Sequence, residues 1–256
     1  VDKISLPTIL YEKKERVARI TLNRPEILNA ANHQWIEDLH TVVNVVASDG
    51  ELRIVVITGA GRAFCTGIDL KDLSTGKIAL SFHNLWERTM RILETMDKIV
   101  IAGINGYCLG GGLQLALACD IRVASQTAIL GLPAVKECLI PGLATYRLPR
   151  FVGMGWAKRL ILTGENITAL EAEAIGLVDW VVPPEEFEEK LQAIIQKFLK
   201  FTTKAARLAK ILTSQAFDLS YPEFLEKYFE FQKIASESEE HQEAMQAYRE
   251  KREPRY

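Results

Sequence analysis

Two apolar runs, Ile54-Val55-Val56-Ile57 and Ile99 to Ile104, each end at a glycine-punctuated loop, and this pairing of buried strand with open turn constrains the chain most. A strand with no polar alternation belongs in a sheet covered on both faces. The second run continues into Asn105-Gly106-Tyr107-Cys108-Leu109-Gly110-Gly111-Gly112-Leu113-Gln114, after which Leu113 to Cys119 reads as an apolar helix. The glycine triplet removes side chains from the path to the backbone N–H groups, and a helix start adds unpaired donors and partial positive charge. Such a place suits a phosphate or a developing oxyanion. No Gly-Lys-Ser/Thr follows and GxGxxG is absent, so oxyanion stabilisation is the better reading.

A second glycine loop lies upstream, in Thr58-Gly59-Ala60-Gly61-Arg62-Ala63-Phe64-Cys65-Thr66-Gly67-Ile68-Asp69-Leu70. With it come Ile20-Thr21-Leu22-Asn23-Arg24-Pro25, Ala116-Leu117-Ala118-Cys119-Asp120-Ile121-Arg122, Leu139-Ile140-Pro141-Gly142, Leu162-Thr163-Gly164, Gly176-Leu177-Val178 and the basic tail Tyr248-Arg249-Glu250-Lys251-Arg252. On these motifs nearly the whole chain resembles the crotonase superfamily, the enoyl-CoA hydratase and isomerase relatives. The resemblance implies an α/β fold, a spiral of ββα units with a helical C-terminal region at a trimer interface. It also implies that one peptide N–H from each glycine loop binds the thioester carbonyl oxygen of an acyl-CoA; by position these belong to Ile68 and Gly111. For the CoA moiety it implies Ile27, Leu28, Thr66, Gly67, Asp69, Leu70 and Lys251. Arg24 and Lys251 suit phosphate charge, although lone surface bases are more often merely solvated.

Strand and helix alternate through Val17 to Leu22, Gln34 to Ala47, Arg53 to Thr58, Ser81 to Met96 and Ile99 to Ile104, the order of a covered sheet built from βαβ units. After Pro141 helix dominates. A polar break at Pro183-Pro184 separates an expected core, residues 1–183, from a helical region, 184–256, of the same domain. There Gln192 to Phe201, Thr203 to Ala216 and Pro222 to Tyr248 carry apolar stripes with little to bury them, which suits a homotrimer or dimer of trimers.

A chain of 256 residues suffices for one sizeable core. The net charge of −2, with no basic stripe before the C-terminus, argues against a nucleic-acid partner, and Lys204, Arg207 and Lys210 read as a solvated helix face. Cys65, Cys108, Cys119 and Cys138 show no C-x-x-C spacing and sit in apolar or glycine-rich surroundings, as small buried fillers would. No apolar run reaches the roughly 20 residues of a membrane span, and no signal-peptide pattern opens the sequence. The expectation is a cytoplasmic protein with no membrane partner, no metal and no separate cofactor, CoA being part of the substrate.

Hydratases of this superfamily add two glutamates, and by position this chain has Gln114 and Ala134 instead. Gln can orient a water but cannot exchange a proton near neutral pH, and Ala can do neither. Ordinary two-glutamate addition of water to an enoyl-CoA is therefore not the expectation here. Dienoyl isomerase relatives carry another acid beside the proline-glycine segment, where this chain has Gly142. Two carboxylates offer replacements. Glu137 lies three residues past Ala134, with a surface ion pair to Lys136 or Arg147 as the alternative. Glu87 follows Trp86 on the helix before the glycine triplet, where an ion pair with Arg91 at i+4 is the alternative. Asp69 reads more readily as the cap of a short helix than as a catalyst, and Asp120 as a structural turn residue. Of His33, His40, His83 and His241 only His83 falls on the helix of the acyl pocket.

These residues describe an acyl-CoA enzyme stabilising a thioester enolate or oxyanion: a lyase, isomerase or hydrolase served by Glu137, Glu87 and Gln114. An enoyl-CoA hydratase or isomerase with relocated acids is the alternative. A catalytically silent acyl-CoA-binding protein is another, separated from the first by whether Glu137 and Glu87 converge on the oxyanion site.

Overall fold

The computed structural model describes residues 2–201 and 204–256. Strands β1 (Asp2–Ser5), β2 (Ile9–Lys14), β3 (Val17–Leu22), β4 (Ile54–Gly59), β5 (Ala63–Cys65), β6 (Ile99–Ile104), β7 (Tyr107–Leu109), β8 (Ile121–Ser125), β9 (Ile129–Gly131), β10 (Asn166–Thr168) and β11 (Trp180–Val182) form two sheets. The larger is seven-stranded in the order β1-β2-β3-β4-β6-β8-β11; the smaller is four-stranded, β10-β9-β7-β5. From β3 onward the larger sheet is parallel, with Ile54 opposite Ile99 and Ile101 opposite Ile121.

Each long parallel strand hands the chain to a short strand of the other sheet: β4 to β5, β6 to β7, β8 to β9. Helical segments return it, which is the ββα spiral the family resemblance implies. The helices are α1 (His33–Ser48), α2 (Leu70–Ser74), α3 (Leu80–Thr95), α4 (Gly111–Leu117), α5 (Ala144–Thr163), α6 (Ala169–Ala174), α7 (Phe187–Leu199), α8 (Lys204–Ser214), α9 (Tyr221–Ser236) and α10 (Glu239–Glu250). Segment α5 is broken at Gly153, whose φ of 72° leaves the helical region. The start expected at Thr203 lies outside the described residues.

Continuous apolar strands end up covered on both faces, as their pattern demands. Val55 and Ile57 of β4 join the main core, while Ile54 and Val56 face the other way with Ile99, Ile101 and Val123. Phe187, Leu191, Ile194 and Ile195 of α7 cover that second face, each worth about 1.5–3 kcal/mol of burial. The segment after Pro183-Pro184 thus begins by closing the core sheet.

The C-terminal helices correct one expectation. Lys210 and Arg207 do not line a solvated face: the Lys210 ammonium pairs with Asp120 at 2.8 Å and donates to the Leu93 and Lys98 carbonyls, while Arg207 pairs with Asp97 at 2.8 Å. Both bases anchor α8 to the core. Asp97 and Asp120 come from distant parts of the chain, so nothing local announces the pairing. Burial pushes the Asp120 carboxyl above its ordinary range against the pull of Lys210, and Asp120 also accepts from Val100 N at 2.7 Å, a structural role. Among the described residues no helix is long and apolar enough to cross a membrane.

Candidate active site

The small sheet exists to bring the two glycine loops together. Strands β5 and β7 pair in parallel, Cys65 beside Cys108, so the residues following each emerge side by side. Gly67 has a φ of 91°, and a Cβ on it would stand 2.8 Å from Gly111 N. Only glycine allows this approach without strain.

Two residues with backbone amides unpaired among the described residues then border one cavity. Ala31 N donates to Gly67 O and Asp69 N to Ala31 O, a bridge that turns the intervening Ile68 N–H to the opposite side. Gly111 is the first residue of α4, so its N–H has no intrahelical acceptor. Neither amide has a hydrogen-bond partner among the described residues, and both residues line a cavity of about 240 Å³. At the far end of α4, buried Arg122 donates to the Leu177 and Cys119 carbonyls at 2.8 and 3.0 Å, placing a cation at the helix C-terminus. Buried Asn29 binds the Ala63 carbonyl at 2.8 Å, and Asn105 accepts from Gly59 N at 3.1 Å while donating to Gly61 O at 2.9 Å. These asparagines hold the first loop in shape. Their roles escaped the sequence reading because Asn105 beside Gly106 reads as an ordinary turn and the carbonyls that Asn29 meets lie more than thirty residues away along the chain.

The cavity is lined on its apolar side by Leu73, Phe82, Trp86, Leu139 and Ile140, and by Pro141 to Leu143 as a roof. Trp86 forms the floor beneath the second amide: a Cβ at Gly111 would lie 3.0 Å from Trp86 Cη2. Trp86 in turn stacks on buried Trp35, ring centroids 5.4 Å apart. The polar side is Thr66, His83, Glu87, Gln114 and Glu137. Gln114 reaches under the roof to Gly142, where a Cβ would run into its Oε1. Ala134 faces the same space, confirming that no carboxylate stands there.

Glu87 and Glu137 both line the cavity, in different bonding states. The Glu87 carboxylate accepts from Leu143 N at 3.3 Å and from Arg147 Nη1 at 2.8 Å. The expected alternative, Arg91, pairs with Glu94 instead. Glu137 ends the 3-10 turn Pro133–Glu137 and is exposed. Its carboxylate has no hydrogen bond or ion pair among the described residues, because Arg147 is engaged by Glu87 and Glu94.

Around the first amide, Asp69 caps α2, accepting from Lys71 N and Asp72 N, and pairs with Arg24 at 3.4 Å. Arg24 also donates to the Ala30 carbonyl at 2.7 Å, so its guanidinium is engaged inside the protein. Leu28 adopts a left-handed conformation after the turn Pro25–Ile27, and its carbonyl accepts from Thr66 Oγ1 at 3.2 Å. Ile27 and Leu70 are exposed beside this loop. Lys251 follows α10 and is not on the cavity wall. Cys65, Cys108 and Cys119 are buried as expected, whereas Cys138 is exposed, a correction: it takes the left-handed position (φ 54°) that ends the turn after Glu137.

The family model described as enoyl-CoA hydratase/isomerase matches residues 12–256. The chain belongs to this family. Among enoyl-CoA hydratase/isomerase relatives, the short-chain-enoyl-CoA hydratase of Clostridium acetobutylicum is 40% identical over 212 residues, 81% of each chain. The crotonyl-CoA hydratase of Syntrophomonas wolfei is 35% identical over 249 residues, 95% of each. A crystal structure of an enoyl-CoA hydratase from Bacillus anthracis superposes with a TM-score of 0.91 at 36% identity, covering 97% of this chain and 98% of that one. The chain is thus an acyl-CoA enzyme of this family. The names of these relatives do not bear out the expectation against hydration drawn from Gln114 and Ala134.

Proposed function

We propose that this enzyme adds water to an enoyl-CoA, with the Ile68 and Gly111 amides on the thioester oxygen, Gln114 holding the water and Glu137 exchanging the proton. Water attacking the β carbon drives electrons onto the thioester oxygen, where two preorganised donors hold the enolate. Glu137 takes the proton released by the water and returns a proton to the α carbon. The product gains one water and the carboxylate is regenerated. The observation that carries this reading is that Glu137, alone of the two cavity glutamates, is free of hydrogen bonds and ion pairs among the described residues. Proton exchange needs such a group within reach of substrate.

A single free carboxylate also serves a 1,3-shift of the double bond, so isomerisation is the second reading. The same carboxylate argues against a silent binding protein. CoA is proposed to run over Ile27, Leu28 and the Thr66–Leu70 loop, whose engaged Arg24 shapes the loop and whose phosphate partner is Lys251.

The test is crotonyl-CoA hydration by the intact enzyme and by Glu137→Gln. The variant is expected to lose about 10²–10⁴ in kcat, the usual worth of general acid–base assistance, while binding butyryl-CoA as the parent does. Full activity in Glu137→Gln would remove Glu137 from the mechanism; a parent enzyme that shifts double bonds without hydrating them would select the second reading.

A further inference from the structure

Arg147 lies behind the acyl cavity: it holds Glu87, which lines that cavity, and itself lines a second cavity bordered by α3, α5 and α8. Its side chain is 5% exposed, and its guanidinium lies between Glu87 (2.8 Å) and Glu94 (2.5 Å). The two acids are seven residues apart on α3, about two turns, and so project from one face. Burial alone would pull the Arg147 guanidinium down, but Glu94 and Glu87 reverse this and hold it above its ordinary value. It is a fixed cation with a planar fork joining α3 to α5.

Glu87 completes the link. One oxygen takes Arg147; the other accepts the N–H of Leu143, the residue that caps the start of α5. Leu143 ends the roof segment Pro141 to Leu143, and Gln114 rests against Gly142 within it. The distance from roof to Gln114, and with it the place left for a water over the acyl group, therefore depends on where Glu87 is held.

We infer that Arg147 is a positioning residue of the acyl site, fixing Glu87 and through it the roof above Gln114. Glu87 in this arrangement is a clamp rather than the proton carrier, a division that rests on the proposed role of Glu137. Loss of the guanidinium leaves two carboxylates facing each other and frees the roof.

The experiment compares Arg147→Met, Arg147→Lys, Glu87→Gln and the Arg147→Met/Glu87→Gln double variant. Each is read by crotonyl-CoA turnover and by the near-ultraviolet absorbance of the acetoacetyl-CoA enolate in the oxyanion site, with thermal melts to verify folding. Arg147→Met is expected to lower kcat by about 10², the scale of a 1 Å misplacement, with KM changed less than about threefold because CoA contacts lie elsewhere. Lys keeps charge without the fork and restores part of the loss. The double variant is expected to be no worse than Arg147→Met, since both changes break one linkage. The inference is overturned if folded Arg147→Met turns over as the parent does, or if the two single losses multiply in the double. Should Arg147→Met fail to fold, Arg147→Lys and Glu87→Gln carry the same comparison. If the parent proves inactive on crotonyl-CoA, the hydratase reading fails alone, and the enolate absorbance decides the role of Arg147: unchanged in every variant, it rejects the inference.

Discussion

Gly67 shows how far a single residue controls this site. Its φ of 91° and the 2.8 Å between its Cβ position and Gly111 N mean that any side chain pushes apart the two loops that carry the proposed oxyanion donors. Gly67→Ala is expected to cost about 1–3 kcal/mol of stability through backbone strain. It should lower turnover by about 10²–10³, the loss typical of one oxyanion donor. Denaturant unfolding alongside steady-state kinetics separates the two effects; a variant that stays fully active would mean that the amides do not act together. The contrast between Glu87 and Glu137 is also decided at this scale. Both are acids on the cavity wall, but one is bound on both oxygens and the other on neither.

At the scale of elements, short segments do the positioning. Helix α2 is held by Asp69, which accepts from Lys71 N at 3.1 Å and Asp72 N at 3.4 Å, directly after Ile68, the proposed donor. Removing an N-cap carboxylate typically costs about 0.5–2 kcal/mol. Asp69→Ala is therefore expected to destabilise the protein by that amount in urea melts. Asp69→Asn, which keeps the cap, should retain most turnover; a dead but well-folded Asn variant would make Asp69 a catalyst instead. Helix α4 works by the same logic at larger scale. Its N-terminus offers Gly111 N–H to the cavity while Arg122 occupies its C-terminus, so both ends of its dipole are used.

For the whole molecule, one helix of the C-terminal region, α9, gathers several large apolar side chains at the surface. Phe229 is 61% exposed, and Tyr221, Tyr228 and Ile234 stand open on the same helix α9. Side chains of this size on one helix call for a covering partner. We propose a homotrimer or dimer of trimers, and light scattering at micromolar concentration should return a multiple of three chains. A monomer would reject the assembly. Lys210 and Arg207 fasten the preceding helix to the core from within, so the arm that carries this surface is held in place before any partner arrives.

Much of this was legible in the amino-acid order because it depends on local periodicity and backbone chemistry. The unbroken apolar runs at Ile54 and Ile99 required a sheet covered on both faces. The glycine loops implied N–H groups left without acceptors, and Asp69 before Leu70 suited a helix cap. Each of these features appears in the fold. What tertiary structure alone decided are the pairings between distant side chains. Arg147 chose Glu87 and Glu94 over Glu137, Lys210 found Asp120, and Arg24 turned inward to Asp69. A charged side chain several carbons long can reach many partners, and which one it meets follows from how helices α3, α5 and α8 pack rather than from spacing along the chain.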